Sequence, residues 1–236
     1  MSIYRLPDTG VAFPDPFDAE PDGLLAVGGD LSPHRLVSAY SIGVFPWYHE
    51  DSPPLWWTPD PRCILLPDEF HLPRSLARVL KKNMFRFTFD NAFPEVIRAC
   101  AGPRGEYDGT WLVPEMIEAY ITLHKLGLAH SVEAWLDDRL AGGLYGISLG
   151  SAFFGESMFY NTPDASKAAF THLVATLRSH NFTLIDCQQV TPNLVRFGAK
   201  PVSREEFMRF LGDALDAPLR RGSWSDGIPV GNETSV

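Results

Sequence analysis

The sequence predicts an α+β protein in which a small N-terminal α/β domain precedes a larger domain built on a mixed sheet with flanking helices. Residues 1–61 are rich in Pro, Gly and Trp, whereas from Arg62 onward apolar residues recur with regular strand and helix periods. Three consecutive strand patterns, followed by alternating helix and strand patterns, are typical of a mixed sheet. We therefore expect domains at 1–61 and 62–216, and a loose Gly/Ser/Pro-rich tail at 217–236.

The elements of the first half are marked by their end signals. In the N-terminal part, Ser32 as cap and Pro33 in the first turn predict a helix that ends near Gly43. Pro114 and Gly127 likewise delimit a helix over 114–126. Periodicity predicts the remaining elements as strands at 62–66 and 85–89, and helices at 73–82 and 92–101.

The second half should be an antiparallel meander followed by a helix–strand series. Turn residues at 137–138 and 149–150 separate three strand patterns, at 129–135, 139–148 and 151–159. An amphipathic pattern then predicts a helix over 165–180. The remaining elements are a strand at 183–188, a short helical turn, a strand near 199–202 and a helix at 204–215.

Composition excludes several classes of protein. No run of eighteen apolar residues exists, and the first residues after Met1 lack the apolar core of a signal peptide. The three cysteines are widely spaced and form neither a disulfide framework nor a metal-ligand cluster. We expect a cytoplasmic protein.

One basic segment stands out in a chain whose net charge is −9. Residues 74–86 carry five of the 20 Lys and Arg side chains and no acid. In a helix, three of these cations share one face, opposite an apolar face. A solvated surface is the alternative, but an acid-free stripe on an acidic protein favours binding of nucleic-acid phosphates. The five cations are Arg74, Arg78, Lys81, Lys82 and Arg86.

Two acids lie in apolar runs that are predicted to be buried strands. Glu156 and Asp186 must be paired, hydrogen-bonded or catalytic, since an isolated buried charge costs several kcal/mol. A structural salt bridge to Lys167 or Arg204 is the alternative. Two acids near the ends of neighbouring strands, with Gln188 two residues beyond Asp186, favour a functional site.

These acids belong to a colinear series of motifs. The series comprises residues 23–32 (GLLAVGGDLS), 39–40 (AY), 43–48 (GVFPWY), 56–62 (WWTPDPR), 109–111 (GTW), 119–120 (AY), 130–133 (HSVE), 142–146 (GGLYG), 155–159 (GESMF), 165–167 (ASK) and 186–188 (DCQ). Over nearly the whole chain, apart from the last twenty or so residues, the sequence resembles the leucyl/phenylalanyl-tRNA–protein transferases. It departs from them at Asn193, where the family usually has His, and at Tyr160, where a small residue is common.

The resemblance implies a Gcn5-related acyltransferase fold in the larger domain. It also implies transfer of Leu or Phe, with Met as a further candidate, from aminoacyl-tRNA to proteins with N-terminal Arg or Lys, which marks them for N-degron degradation. The aminoacyl ester is already activated, so no metal or other cofactor is expected. A monomer without a membrane partner is expected as well.

Site residues follow from the same resemblance. Asp186 would accept or orient a hydrogen of the reacting amine, and Gln188 would fix Asp186 or the carbonyl oxygen. Glu156 would meet either the cationic side chain or the α-ammonium group of the acceptor, and the two roles remain open. Tyr40, Trp47, Trp111 and Tyr120 would bind the terminal adenosine.

The donor's Leu or Phe side chain needs an apolar pocket. Four apolar residues in or beside the motif strands are candidates, although each taken singly is more typical of ordinary core. They are Leu144, Phe153, Met158 and Ile185.

Two other functions remain open. An acetyl-CoA-dependent N-acetyltransferase would need an Arg/Gln-x-x-Gly-x-Gly/Ala loop, and the nearest stretch, at 196–199, has the wrong spacing. A non-catalytic adaptor for basic protein N-termini would need the two acids but not the basic helix.

Overall fold

The N-terminal part forms a small sheet of its own. The computed structural model describes residues 3–102 and 112–229. The sheet has the order β1-β2-β4-β3, and Ser32 caps α1 by accepting a hydrogen bond from the backbone N–H of Arg35, which confirms that helix start. The elements are β1 (Tyr4–Leu6), β2 (Leu24–Gly28), α1 (Pro33–Ser41), β3 (Phe45–Pro46) and β4 (Leu55–Trp57).

The larger part is built on a seven-stranded mixed sheet of order β11-β5-β10-β9-β8-β7-β6. The β9–β10 pair is parallel, and the other pairs are antiparallel. Its strands are β5 (Arg62–Leu65), β6 (Arg86–Phe89), β7 (Ala129–Leu136), β8 (Arg139–Leu149), β9 (Ala152–Tyr160), β10 (Leu184–Gln188) and β11 (Lys200–Val202). The helices are α2 (Arg74–Leu80), α3 (Phe93–Cys100), α4 (Pro114–Lys125), α5 (Ala165–Ser179), α6 (Pro192–Arg196) and α7 (Arg204–Leu215).

Strands β7, β8 and β9 form the predicted antiparallel meander. Asp137 and Asp138 both have positive φ, at 48° and 58°, as a two-residue hairpin turn requires. Gly150 in the next turn has φ 58°. The mixed sheet with flanking helices and the meander are therefore confirmed.

Helices cover both faces of the large sheet. One hydrophobic cluster joins the small sheet, α3, α4 and α7, and a second lies under α2 and α5. Because the first cluster runs through both predicted domains, the division at residues 61 and 62 stays a prediction. Within the described ranges, no helix is both long and apolar enough to cross a membrane.

The predicted loose tail is packed where the structure describes it. The Trp224 side chain is 1% exposed and stacks on His130, with ring centroids 3.9 Å apart. Its backbone N–H donates to Asp90 Oδ2 at 2.7 Å, and Ile228 is also buried. The prediction is therefore wrong for 217–229, because a polar composition conceals two apolar side chains that bury themselves in the core. Residues 230–236 lie outside the described ranges.

Candidate active site

The site lies where two neighbouring strands part. Strands β9 and β10 pair in parallel over residues 152–154 and 184–186, and the pairing then ends although β9 continues to Tyr160. A gap between splayed strands exposes side chains of both strands to a common space. Glu156 and Gln188 each lie two positions beyond the last paired residue of their strand, and both face this gap.

Two β-bulges aim these side chains. Glu156 is the extra residue of a bulge in the β8–β9 pair, opposite Gly146. A Cβ at Gly146 would lie 2.2 Å from the carbonyl oxygen of Phe154, so only glycine fits there. Cys187 is left unpaired in the same way before Gln188, in the β10–β5 pair. Bulges re-aim side chains beside active sites, and here two of them lie at the same level of the sheet.

Glu156 is the centre of a hydrogen-bond chain. Gln188 Nε2 donates to Glu156 Oε1 at 3.0 Å, and the Tyr120 hydroxyl donates to Oε2 at 3.0 Å. Tyr40 and Tyr120 hydroxyls are 2.6 Å apart, so Tyr40 donates to Tyr120. Burial raises the pKa of Glu156 to about 7, against the opposing effect of the tyrosine hydroxyls. Glu156 therefore changes its charge near neutral pH.

The tyrosines differ from what the sequence suggested. Tyr40 and Tyr120 are fully buried beneath Glu156, and their hydroxyls are engaged there. In this structure neither hydroxyl can reach an adenosine in the cavity. Their place in the fold is instead to support the carboxylate of Glu156.

Asp186 forms a salt bridge beneath the site. Its two oxygens accept from Nε and Nη2 of Arg62 at 2.9 and 2.6 Å, and both side chains are fully buried. The guanidinium of Arg62 lies between the rings of Phe45 and Phe207, 4.8 and 4.6 Å from their centroids. Because Asp186 is not in the cavity wall, it cannot touch an amine bound there. The expectation of direct contact is corrected accordingly.

The alternative salt-bridge partners were also wrong. Lys167 pairs with Asp164 at 2.7 Å, and the guanidinium of Arg204 donates to the carbonyl of Thr58. Arg62 ends the motif at 56–62, but the motif itself does not reveal its role. A cation at the start of an apolar strand was the signal that could have paired it with Asp186.

Gln188 has a backbone conformation that glutamine rarely adopts. Its φ is 59°, and the N–H of Gln189 donates to the carbonyl of Cys187 at 2.7 Å, which closes a γ-turn. Such a conformation costs on the order of 1–3 kcal/mol and persists only when the surroundings enforce it. Asp186 Oδ1 enforces it by accepting the N–H of Gln188 at 2.9 Å. Asp186 therefore acts on the cavity through Gln188.

The gap opens into a cavity of about 1010 Å³. All four predicted pocket residues line it, namely Leu144, Phe153, Met158 and Ile185. Phe170 and Leu173 of α5 extend the apolar wall. Glu156 and Gln188 supply polar groups to the same cavity. The cavity thus offers an apolar compartment beside a carboxylate and an amide.

Aromatic and polar side chains complete the wall. Trp47 lines the cavity and is 37% exposed, with its ring held edge-on by Trp57 at 5.8 Å. Tyr160 and Asn193, the two departures from the family pattern, also line it. Trp111 lies outside the described residues.

The predicted basic helix is shorter than expected, since α2 ends at Leu80, but its cations are all exposed. Arg86, on β6, pairs with Asp138 at 3.5 Å. Within the described ranges, no ion pair engages the other four, which are Arg74, Arg78, Lys81 and Lys82. These four form the basic strip.

Comparison with known proteins gives matches along almost the full chain. Family models described as "Leucyl/phenylalanyl-tRNA protein transferase" and its N-terminal domain match residues 64–212 and 29–60. Leucyl/phenylalanyl-tRNA–protein transferase of Anaeromyxobacter sp. (strain Fw109-5) is 60% identical over 225 residues, which is 95% of each chain. The enzyme of that name from Desulfatibacillum aliphaticivorans is 54% identical over 95% of this chain and 97% of its own.

Solved structures give only distant likenesses. An aminoglycoside acetyltransferase from an uncultured soil metagenomic sample has a TM-score of 0.38 at 14% identity, covering 50% of this chain and 86% of its own. L-PGS from Bacillus licheniformis has a TM-score of 0.38 at 12% identity, covering 68% and 50%.

Proposed function

The chain belongs to the leucyl/phenylalanyl-tRNA–protein transferase family, and we propose that it performs its reaction in the cavity between β9 and β10. It is an aminoacyltransferase, which moves an amino acid from aminoacyl-tRNA to the N-terminus of a protein. Membership of this family removes the N-acetyltransferase and adaptor alternatives.

In this reaction, covalent bonds form and break between the two substrates, and the protein itself takes little part in them. The α-amine nitrogen attacks the ester carbonyl carbon, a tetrahedral intermediate forms, and the bond to the ribose oxygen breaks. The amine gives up one proton, and the departing ribose oxygen takes up one proton and becomes a hydroxyl. The protein must hold amine and ester together and accept the proton, as positioned groups do.

The observation that carries the proposal is the Glu156–Gln188 pair in the cavity wall. With a pKa near 7, Glu156 is matched to an α-amine whose ordinary pKa is roughly 7.7–8.0, so it can take the proton of the attacking amine. The amide of Gln188, held at 3.0 Å from Glu156, can orient the amine or the carbonyl. Asp186, itself held by Arg62, accepts the backbone N–H of Gln188 and so positions its side chain from beneath, without touching the substrates.

Donor specificity follows from the apolar part of the cavity. Leu144, Phe153, Met158 and Ile185 can receive a Leu or Phe side chain, and a Met in the wall adapts to either shape. The same wall would admit Met as a donor. Trp47 lines the cavity, and in this proposal it stacks on the terminal adenine, a contact worth about 1–3 kcal/mol per base. Trp111 remains a second candidate for this contact.

Charged side chains of the protein bind both the acceptor and the body of the tRNA in this proposal. A carboxylate at Glu156 favours acceptors whose N-terminal residue is Arg or Lys, which are the substrates of N-degron marking. In this proposal the exposed basic strip contacts tRNA phosphates, and Arg86 extends it along β6. We place the reaction in the cytoplasm, where aminoacyl-tRNA is available, and assign it to the monomer.

The direct test combines donors and acceptors. Purified chain is incubated with labelled leucyl-tRNA or phenylalanyl-tRNA and peptides that begin with Arg, Lys or Ala. Transfer to the Arg and Lys peptides, with little to the Ala peptide and none from acetyl-CoA, is the expected result. Equal transfer to all three peptides would reject the acceptor assignment.

A Glu156→Gln variant then assigns the carboxylate. If it reads the cationic side chain, the variant loses more activity with Arg and Lys peptides than with the Ala peptide. Equal losses would leave Glu156 only the role at the α-amine.

A further inference from the structure

Two cysteine side chains meet beside the proposed amide. Cys63 on β5 is directly opposite Gln188 in the antiparallel β5–β10 pair, and Cys187 is the extra residue of the bulge that precedes Gln188. Cys63 lies in the hydrophobic cluster under α5, and Cys187 packs against that cluster, so both side chains are on the same face of the sheet. The two thiols interact, since each shifts the pKa of the other, and neither is in a disulfide; Cys187 Sγ lies 3.9 Å from the carbonyl oxygen of Ile185.

Only one of these thiols can be reached from outside. Cys63 is fully buried, whereas Cys187 lines the cavity of about 1010 Å³. A small oxidant that enters the cavity therefore meets Cys187 first, with Cys63 directly behind it. An accessible thiol with a second thiol beside it that can resolve its sulfenic acid is the arrangement of reversible cysteine oxidation.

We propose that Cys63 and Cys187 form a reversible disulfide under peroxide and that this bond stops aminoacyl transfer. Peroxide transfers one oxygen to the Cys187 sulfur, which gives a sulfenic acid and one water. The Cys63 sulfur then attacks the Cys187 sulfur and expels the second water. In sum, two thiols lose two electrons and two protons to one hydrogen peroxide, and a dithiol reductant restores them.

The two thiols differ in the direction of their pKa shifts, and this difference gives them different roles in the oxidation. The interaction with Cys187 lowers the pKa of Cys63, which favours the thiolate that resolves the sulfenic acid. The same interaction, and then burial, raises the pKa of Cys187. Oxidation of Cys187 is therefore slow at neutral pH and becomes faster as the pH rises, since thiolate is the reactive form.

The disulfide slows aminoacyl transfer by displacing Gln188, so this part of the inference rests on the proposed function. A disulfide is about 2.05 Å long, far shorter than a contact between unbonded sulfurs. Closing it draws Cys187 toward β5 and displaces the γ-turn at Gln188. A displacement of about 1 Å at such a group lowers a rate up to a hundredfold, and we expect a loss of tenfold to a hundredfold.

The experiment treats the full chain with hydrogen peroxide and follows mass and transfer together. The expected product is lighter by two hydrogen atoms, yields a Cys63–Cys187 cross-linked peptide on unreduced digestion, and regains activity with a dithiol. Cys63→Ala, which leaves the cavity wall unchanged, should keep its activity before treatment and lose this response. Cys100→Ala, with a buried cysteine on α3, is the matched control and should respond like the unmodified chain.

Two results would overturn the proposal. The first is the absence of the cross-linked peptide in the unmodified chain, which needs no variant and no activity assay. The second is equal, dithiol-reversible inactivation of Cys63→Ala. A cross-link that forms while transfer continues would retain the modification site but reject the role of Gln188, without affecting the assignment of the chain as a transferase.

Discussion

The cavity wall and the basic strip handle charge in opposite ways. In and beneath the cavity wall, charged groups are at least partly buried and held by fixed partners. Asp186 has both oxygens on Arg62, and Glu156 has one oxygen on Tyr120 and one on Gln188. Even the backbone of Gln188 is held in a rare conformation by a side chain.

The basic strip has none of this fixation. Arg74, Arg78, Lys81 and Lys82 are exposed, and the described part of the chain offers them no acid. The difference reflects what each region binds. Two reacting groups must be placed within a fraction of an ångström, whereas a phosphate backbone needs only positive charge that can follow it.

The largest effect is expected beneath the cavity wall. Asp186→Ala leaves Arg62 buried without a counterion, which should lower the free energy of unfolding by about 3–5 kcal/mol. Because Gln188 also loses its backbone hydrogen bond, we expect transfer by the folded enzyme to fall by up to about a hundredfold. Urea unfolding and single-turnover transfer measure the two.

The matched control is Asp138→Asn, which removes the negative charge from the exposed Arg86–Asp138 pair and keeps a residue type that tolerates φ 58°. It should change stability by less than about 1 kcal/mol. Equal losses in the two variants would show that burial does not distinguish these ion pairs.

Glu156 should make a pH-dependent contribution to the free energy of unfolding on the order of 3 kcal/mol, because its pKa rises from 4.5 to about 7 on folding. The folded state favours the protonated acid. Glu156 therefore does not lower the free energy of unfolding below pH 4.5, and it lowers it by the whole of this amount above pH 7. Glu156→Gln removes that cost. Relative to the unmodified chain, the variant should therefore gain stability as the pH is raised from about 4 to about 8.

Chemical unfolding of both chains across this range gives the difference directly. A difference that stays constant with pH would mean that Glu156 keeps an ordinary pKa in the fold.

The sequence predicted more of the fold than of the site. Strand and helix periods located the meander and α7, because each buries one face of a regular element. These periods could not predict that the tail packs on the core at Trp224, because the contacts that hold Trp224 are distant in sequence. The four pocket residues were within reach, since all lie in apolar strands. The salt bridge between Asp186 and Arg62 could not be predicted from the sequence. The two residues are 124 positions apart, and their contact depends on which strands are neighbours.

A smaller effect should expose the strain at Gln188. Gln188→Gly and Gln188→Ala both remove the amide that contacts Glu156, and both should slow transfer to a similar extent. Only glycine adopts φ 59° without cost, so the Gly variant should be the more stable by about 1 kcal/mol. If the Ala variant is equally stable by urea unfolding, the turn at residue 188 is not strained.

The smallest effect on stability is expected in the basic strip. Replacing Arg74, Arg78 and Lys81 by Ala should change the free energy of unfolding by no more than about 0.5 kcal/mol, since all three are exposed and unpaired within the described ranges. The slope of log K for tRNA against log salt should flatten by about 0.7–0.9 for each phosphate that the variant no longer neutralises. Titrations over a salt series measure the slope, and an unchanged slope would show that the strip is only solvated.

The most direct measurement compares two donors on two variants. Single-turnover transfer is followed with full aminoacyl-tRNA and with aminoacyl-adenosine, which has no stem, for Gln188→Ala and for the triple Ala variant of the basic strip. We expect Gln188→Ala to slow both donors alike and the triple variant to slow only the tRNA. Normal transfer of aminoacyl-adenosine by Gln188→Ala, or equal slowing of both donors by the triple variant, would contradict this expectation.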